Sequence, residues 1–141
     1  MPLIKKLSAR LQNHPKRIVY PEGADPRILQ AARQFSTRKL GVPILLGNRD
    51  KIEQAAASVD VRLDGMKIID PVLSDDFGEL CRLMKAFPRF RALDDEGIKN
   101  LVANPNYYST LMVASGRADA MLAGATTVSS SALRPIFQII P

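Results

Sequence analysis

Apolar residues in this chain alternate between two spacings. Leu3, Leu7 and Leu11 recur at helical intervals, which predicts a short amphipathic helix over 3–11. Arg17-Ile18-Val19-Tyr20 is short and rich in β-branched residues, a strand that stops at Pro21-Glu22-Gly23. Asp25-Pro26 has the form of a helix start: the carboxylate can accept from first-turn N–H groups, and proline already holds the φ that a first turn needs. Ile28, Leu29, Ala32 and Phe35 then form one stripe of a second helix.

The same sequence of signals recurs downstream. Pro43-Ile44-Leu45-Leu46-Gly47 reads as a buried strand ending in glycine, after which Asn48 caps a helix to about Ala57. Met66 to Pro71 is a third strand. Ser74-Asp75-Asp76 opens a helix with Phe77, Leu80, Cys81, Met84 and Phe87 on one side, ended by Pro88. Asp94-Asp95-Glu96 places acidic residues where a helix dipole favours them. Pro105 begins a further helix that runs to Gly116, a natural terminating glycine. Ala118 to Ala123 is the fourth strand. Strands alternating with helices predict an α/β fold, a parallel sheet covered on both faces. Neither a repeat nor an internal linker interrupts residues 1–141, which predicts a single α/β domain. The apolar end, Ile136 to Pro141, is unlike a solvated terminus and predicts that the natural protein continues.

Composition changes the picture little. The chain has 141 residues, 46% hydrophobic and 24% charged, ordinary values for a globular domain. Apolar runs long enough for a membrane helix are absent from the sequence, and a secretory leader is not evident at Met1 to Lys6, so a cytoplasmic setting without a membrane partner is expected. The one cysteine, Cys81, cannot form an internal disulfide and sits on an apolar stripe, the place of an inert thiol. The net charge of +6 favours anionic partners, but the cations are spread over many segments rather than gathered on one element, which argues against a nucleic-acid partner. His14, the only histidine, has no neighbouring cysteine or carboxylate pair, so neither a metal site nor Ser-His chemistry is expected.

The chemistry concentrates in Gly116 to Pro135, which reads as strand, small-residue loop and helix start. In open α/β sheets ligands bind beyond the carboxyl ends of the strands. Gly124 and Ala125 permit close approach to the backbone, and a helix start offers unpaired N–H groups to an anion. Thr127, Ser129 and Ser130 can donate hydroxyl hydrogen bonds, and Arg134 can grip two phosphate oxygens with its planar fork. The alternative is structural: serines and threonines often only cap helices, and a lone arginine is often a surface charge. Because the residue before proline avoids the α region, the helix can begin at Pro135 instead of at the serines. Glu22, at the carboxyl end of the first strand, can meet a ligand or cap the adjacent loop. Tyr107 and Tyr108 read as core aromatics with satisfied hydroxyls.

Six blocks in register over 17–140 resemble the phosphate acetyltransferase (phosphotransacetylase) family. Tyr20 to Arg27 resembles its "PEGEDxR" opening, Pro43 to Gly47 its "PILLG", and Ile68-Ile69-Asp70-Pro71 its "IIDP". Asn106-Tyr107-Tyr108 with Met112-Val113 resembles "NYFxxxMV", Gly116 to Gly124 "GxADGMVSG", and Leu133 to Ile140 "LRPALQII". The chain departs from the family at Thr127, Val128 and Ser131, where the family commonly has His, Ser/Thr and Asp. The family's "LRKxKG" arginine has no clean counterpart; Arg89 is the nearest arginine.

The resemblance implies an incomplete domain like those of isocitrate and isopropylmalate dehydrogenases, with a second domain absent. It implies reversible acetyl transfer, acetyl-CoA plus phosphate giving acetyl phosphate plus CoA, with coenzyme A as a substrate rather than a tightly bound cofactor. It places this chain on the phosphate side of the site through Thr127, Ser129, Ser130 and Arg134, puts the catalytic serine, arginine and aspartate in the missing C-terminal part, and implies a homodimer for the full-length form. The rival reading is a non-catalytic ligand-binding or dimer-partner fragment of the same fold.

Overall fold

The computed structural model describes residues 2–126 and 129–141, with Ser129 in its backbone alone. The described residues form α1 (Pro2–Asn13), β1 (Lys16–Tyr20), α2 (Pro26–Thr37), β2 (Gly41–Leu46), α3 (Arg49–Ser58), β3 (Lys67–Ile69), α4 (Phe77–Ala86), α5 (Asp95–Ala103), α6 (Pro105–Ala114), β4 (Ala120–Met121) and α7 (Ser129–Ile139). Short 3₁₀ turns at Pro71–Leu73 and Pro88–Phe90 bracket α4.

The helix boundaries have local causes. Asp25 accepts from the amides of Arg27 and Ile28, with Pro26 in the first turn; Asn48 accepts from Lys51, Asp94 from Gly97, and Asn104 from Asn106. Each supplies an acceptor for a first-turn N–H that has none within the helix. Gly116, just beyond α6, has φ +78°, a left-handed conformation open to glycine at little cost.

All four strands are parallel, in the order β3-β2-β1-β4. The register explains a proline inside a strand. Pro43 pairs with Ile18 on β1, but β3 joins β2 only from Ile44 onward, so at Pro43 that side of β2 is still an edge and its missing N–H costs no ladder bond.

Side-chain alternation divides the interior into two cores. Val19, Ile44 and Leu46 point to one face, where α4, α5, α6 and α7 contribute Leu80, Met84, Val102, Tyr108, Leu111 and Ile139. Tyr20 and Leu45 point to the other, packed by Ile28, Leu29 and Ala32 of α2 and Ile52 and Ala56 of α3. This is the α/β fold with helices on both faces that the sequence pattern predicts.

The observed boundaries depart from expectation chiefly at the fourth strand. The fourth strand is two residues long instead of spanning Ala118 to Ala123. The amides of Asp119 and Leu122 still donate to the carbonyls of Arg17 and Val19, but the chain beyond Leu122 leaves the ladder to meet the loop after β1. Of the two starts the sequence allows for the last helix, the serines give the observed one: it begins at Ser129, and Pro135 lies inside it. That proline gives up one i→i−4 bond, while the flanking helix is held by packing of Ala132 and Ile139, both buried. α1 forms as predicted but has no buried residue, and Leu3, Ile4 and Leu7 are exposed.

Candidate functional site

Parallel strands place their outgoing loops on one edge. Those loops are residues 21–25 after β1, Gly47 and Asn48 after β2, Asp70 after β3, and 122–126 after β4. The chain builds outward from β1 to β2 to β3, then returns to add β4 on the opposite side of β1. The strand order therefore reverses between β1 and β4, and a crevice opens beyond their carboxyl ends at such a switch point.

In this structure Glu22 of the β1–α2 loop and Arg27 of the first turn of α2 reach across that crevice. The Oε1 of Glu22 accepts from the amides of Gly124 at 2.6 Å and Ala125 at 3.0 Å. Its Oε2 accepts from the Thr126 amide and from the Thr126 hydroxyl at 2.5 Å. From the other side, Arg27 donates to the Ala125 carbonyl at 2.5 Å. The Ala125 carbonyl and the Thr126 N–H belong to one peptide unit, so that plane is gripped at both ends. Gly124, with φ +111°, supplies the turn that aims successive amides inward.

Arg27 is itself anchored. Its guanidinium donates to both Asp25 oxygens, at 3.3 and 3.1 Å, while the same carboxylate caps α2. Asp25 is buried, and the Arg27 hydrogen bond holds its carboxyl below the ordinary value, with the amides of Arg27 and Ile28 acting in the same direction. The Asp25 hydrogen bond and charge in turn hold the Arg27 guanidinium still more firmly protonated. A second tie binds the other ends of these strands: Arg17 and Asp119 form an ion pair at 3.3 Å, which lowers the Asp119 carboxyl.

An open hollow of about 530 Å³ lies beside the clamp, bordered by Glu22, Gly23, Asn48, Lys51 and Thr126. Another of about 510 Å³ lies beyond β2 and β3, lined by Arg49, Lys67, Asp70 and Tyr108 among others. Tyr108 shares a 2.6 Å hydrogen bond with Ser74, and Tyr107 donates at 2.6 Å to the Gln138 side chain of α7, so both tyrosines are packed with satisfied hydroxyls. Asn106 is buried, and its Oδ1 has no hydrogen-bond partner among the described residues.

The expected phosphate residues separate into groups. Thr127 lies outside the described residues, and Ser129 is described only as the first residue of α7. Ser130 and Arg134 are both exposed and one helical turn apart, on the face of α7 that also presents Leu133 and Phe137. Among the described residues Arg134 has no carboxylate partner. Glu22 caps the β4 loop: the amides of Gly124, Ala125 and Thr126 all donate to its carboxylate. The sequence reading overlooked Arg27 as a contributor. Its signal was present, an arginine two residues after a capping aspartate at a strand end, but its partner is a carbonyl 98 residues away.

His14 is exposed and Cys81 half-buried on α4, where burial raises its thiol pKa. Among the described residues no helix is long and apolar enough to cross a membrane.

Comparison with known proteins agrees with this architecture. A phosphate acetyltransferase of Staphylococcus aureus (strain Mu50) is 31% identical over 138 residues, covering 98% of this chain and 42% of that protein. A phosphate acetyltransferase of Bacillus subtilis (strain 168) is 30% identical over 138 residues with the same coverage. Among solved structures, the EutD phosphotransacetylase from Staphylococcus aureus superposes with a TM-score of 0.84 at 30% identity, over 96% of this chain and 42% of that one. A phosphotransacetylase from Streptococcus pyogenes gives 0.85 at 27% identity, over 97% and 43%. The chain thus spans less than half the length of these relatives. The sequence model described as phosphate acetyl/butaryl transferase matches residues 2–141, and with the fold and the relatives in agreement, the chain belongs to that family.

Proposed function

We propose that this chain forms the phosphate-side wall of a phosphate acetyltransferase site. The reaction is the reversible exchange of an acetyl group between CoA and inorganic phosphate. In the direction of acetyl-CoA formation, the CoA thiolate attacks the acetyl carbonyl carbon of acetyl phosphate, a C–S bond forms, the bond from that carbon to the bridging oxygen breaks, and phosphate leaves with that oxygen. Negative charge stays on phosphate throughout, so cationic and hydrogen-bonding groups at that end lower the barrier in both directions.

The observation that carries this reading is the exposed face of α7, the helix that follows β4, on which Ser130 and Arg134 are one helical turn apart. Thr127 and Ser129, in the same segment, join them in the proposal. CoA enters as a substrate, and no tightly bound cofactor is assigned. The base for the thiol and most CoA contacts belong to the part of its relatives that this chain does not span, and the full-length form is a homodimer. The setting is cytoplasmic, and no nucleic-acid or membrane partner is assigned.

The second reading, a non-catalytic module of the same fold, is favoured by Thr127, Val128 and Ser131, which stand where the family commonly has His, Ser/Thr and Asp. CoA-dependent release of phosphate from acetyl phosphate separates the two. It is measured with this chain alone and with the product of the full reading frame. Turnover only in the longer product supports a half-site, and turnover in neither supports the module. Within the first reading, Arg134→Ala is expected to weaken phosphate binding by about 1–3 kcal/mol, the scale of a lost charged hydrogen bond. Unchanged phosphate affinity removes Arg134 from the site.

A further inference from the structure

The 124–126 loop is built as an anion nest. Three successive amides and one hydroxyl converge on one carboxylate, and a positive-φ glycine begins the turn. Such nests recur at phosphate sites, and this one lies at the switch point of the sheet, where ligands bind. Its occupant here is a side chain of the same protein.

We propose that the Glu22 carboxylate is a resident anion that reserves this nest. Inorganic phosphate is thereby barred from the amides of 124–126 and taken instead on the Ser130–Arg134 face of α7. Among the described residues each Glu22 oxygen accepts from two donors, so these nest donors are all engaged. A phosphate approaching it loses twice: it meets a like charge, and it must displace four hydrogen bonds to gain the same donors. Glu22 is delivered by covalent attachment to the end of β1, so its effective concentration at the nest exceeds that of a dissolved anion. The clamp is only half-buried, so phosphate can reach it, and exclusion rests on competition rather than on a closed wall.

Arg27 extends the argument. By holding the Ala125 carbonyl it fixes the peptide whose N–H faces Glu22, so the nest keeps its shape independently of the carboxylate. Removing Glu22 should therefore leave donors still arranged for an anion. Glu22 is a positioning and specificity residue, with no direct contact to phosphate required. The inference rests on the phosphate-wall reading for where phosphate binds, but not for where it is barred.

The test is a titration of the ¹⁵N-labelled chain with inorganic phosphate at constant pH and ionic strength, following the backbone amides of Gly124, Ala125, Thr126, Ser130 and Arg134. In the native chain Ser130 and Arg134 are expected to respond while 124–126 stay still. In Glu22→Ala the three nest amides are expected to respond as well, with phosphate affinity there raised about tenfold or more, the equivalent of one charged hydrogen bond. Glu22→Gln, which keeps the shape without the charge, should show a smaller gain. Unshifted amides of Leu45 and Leu111 report that the fold is retained. Movement of 124–126 in the native chain at the concentration that moves Ser130 overturns the proposal, and this arm needs no variant. A folded Glu22→Ala or Glu22→Gln chain whose nest stays silent also overturns it. If Ser130 and Arg134 stay silent in the native chain while the nest responds in the variants, the phosphate-wall reading falls and the resident anion stands.

Discussion

Asp25 shows how much one side chain can carry. Its carboxylate caps α2, orients Arg27 and is buried in doing so. Asp25→Ala should cost about 1 kcal/mol from the lost cap, and should also release Arg27 from the Ala125 carbonyl. Thermal melts and the amide shift of Thr126 check the two effects separately. The pH dependence has a definite sign. The folded carboxyl titrates below its ordinary value, held there first by the Arg27 hydrogen bond, so the unfolded chain binds the proton more tightly. The stabilisation is complete above the unfolded value of about pH 4 and is lost as the pH falls through the lower folded value. Melting the native chain and Asp25→Asn between about pH 5 and pH 2 should show their difference closing in acid. A gap that stays constant contradicts the assignment. Gly23 is constrained by space rather than φ: a Cβ there would lie 2.5 Å from the Leu46 carbonyl oxygen, a backbone atom that cannot swing away. Gly23→Ala should therefore lower the melting temperature by several degrees.

At the scale of elements, few polar contacts among the described residues tie α7 to its neighbours. The Tyr107 hydroxyl donates to the Gln138 side chain, linking α6 to α7, while Ala132, Pro135 and Ile139 are buried. Tyr107→Phe should cost about 0.5–1.5 kcal/mol and raise hydrogen exchange in α7 more than in α2. Equal change in the two helices would mean that the bond is not local to α7. The helices were legible from sequence because their signals are local: caps, prolines and apolar spacing lie within a turn of the residues they organise. β4 was overestimated because strand length depends on the partner. The apolar run to Ala123 continues, but the pull of Glu22 and Arg27 draws the chain off the ladder after Leu122.

For the whole molecule, the two cores make a simple prediction. Leu45 and Leu46 are adjacent and fully buried but face opposite helix layers. Either changed to alanine should cost about 2–5 kcal/mol by denaturant unfolding. Because their cavities open on different sides of the sheet, the double variant should be close to additive. The exterior is uneven by comparison: Phe137 is 75% exposed on the α7 face that bears Arg134, and α1 leaves three large apolar side chains uncovered.

Spacing, caps and turn residues by themselves determined the α/β class, the order of elements and the division of apolar residues into a sheet with two helix layers. Those signals are set by backbone conformation and burial over a few residues, and six motif blocks resembling one family reinforced them. Only the tertiary structure decided what Glu22 and Arg27 do, since their partners lie about a hundred residues away and meet them only when β4 is laid beside β1. A strand-end glutamate reads the same whether it faces a ligand or a loop. Which of the two it faces depends on the donors folding brings within hydrogen-bond reach, and here these are the amides of the β4 loop.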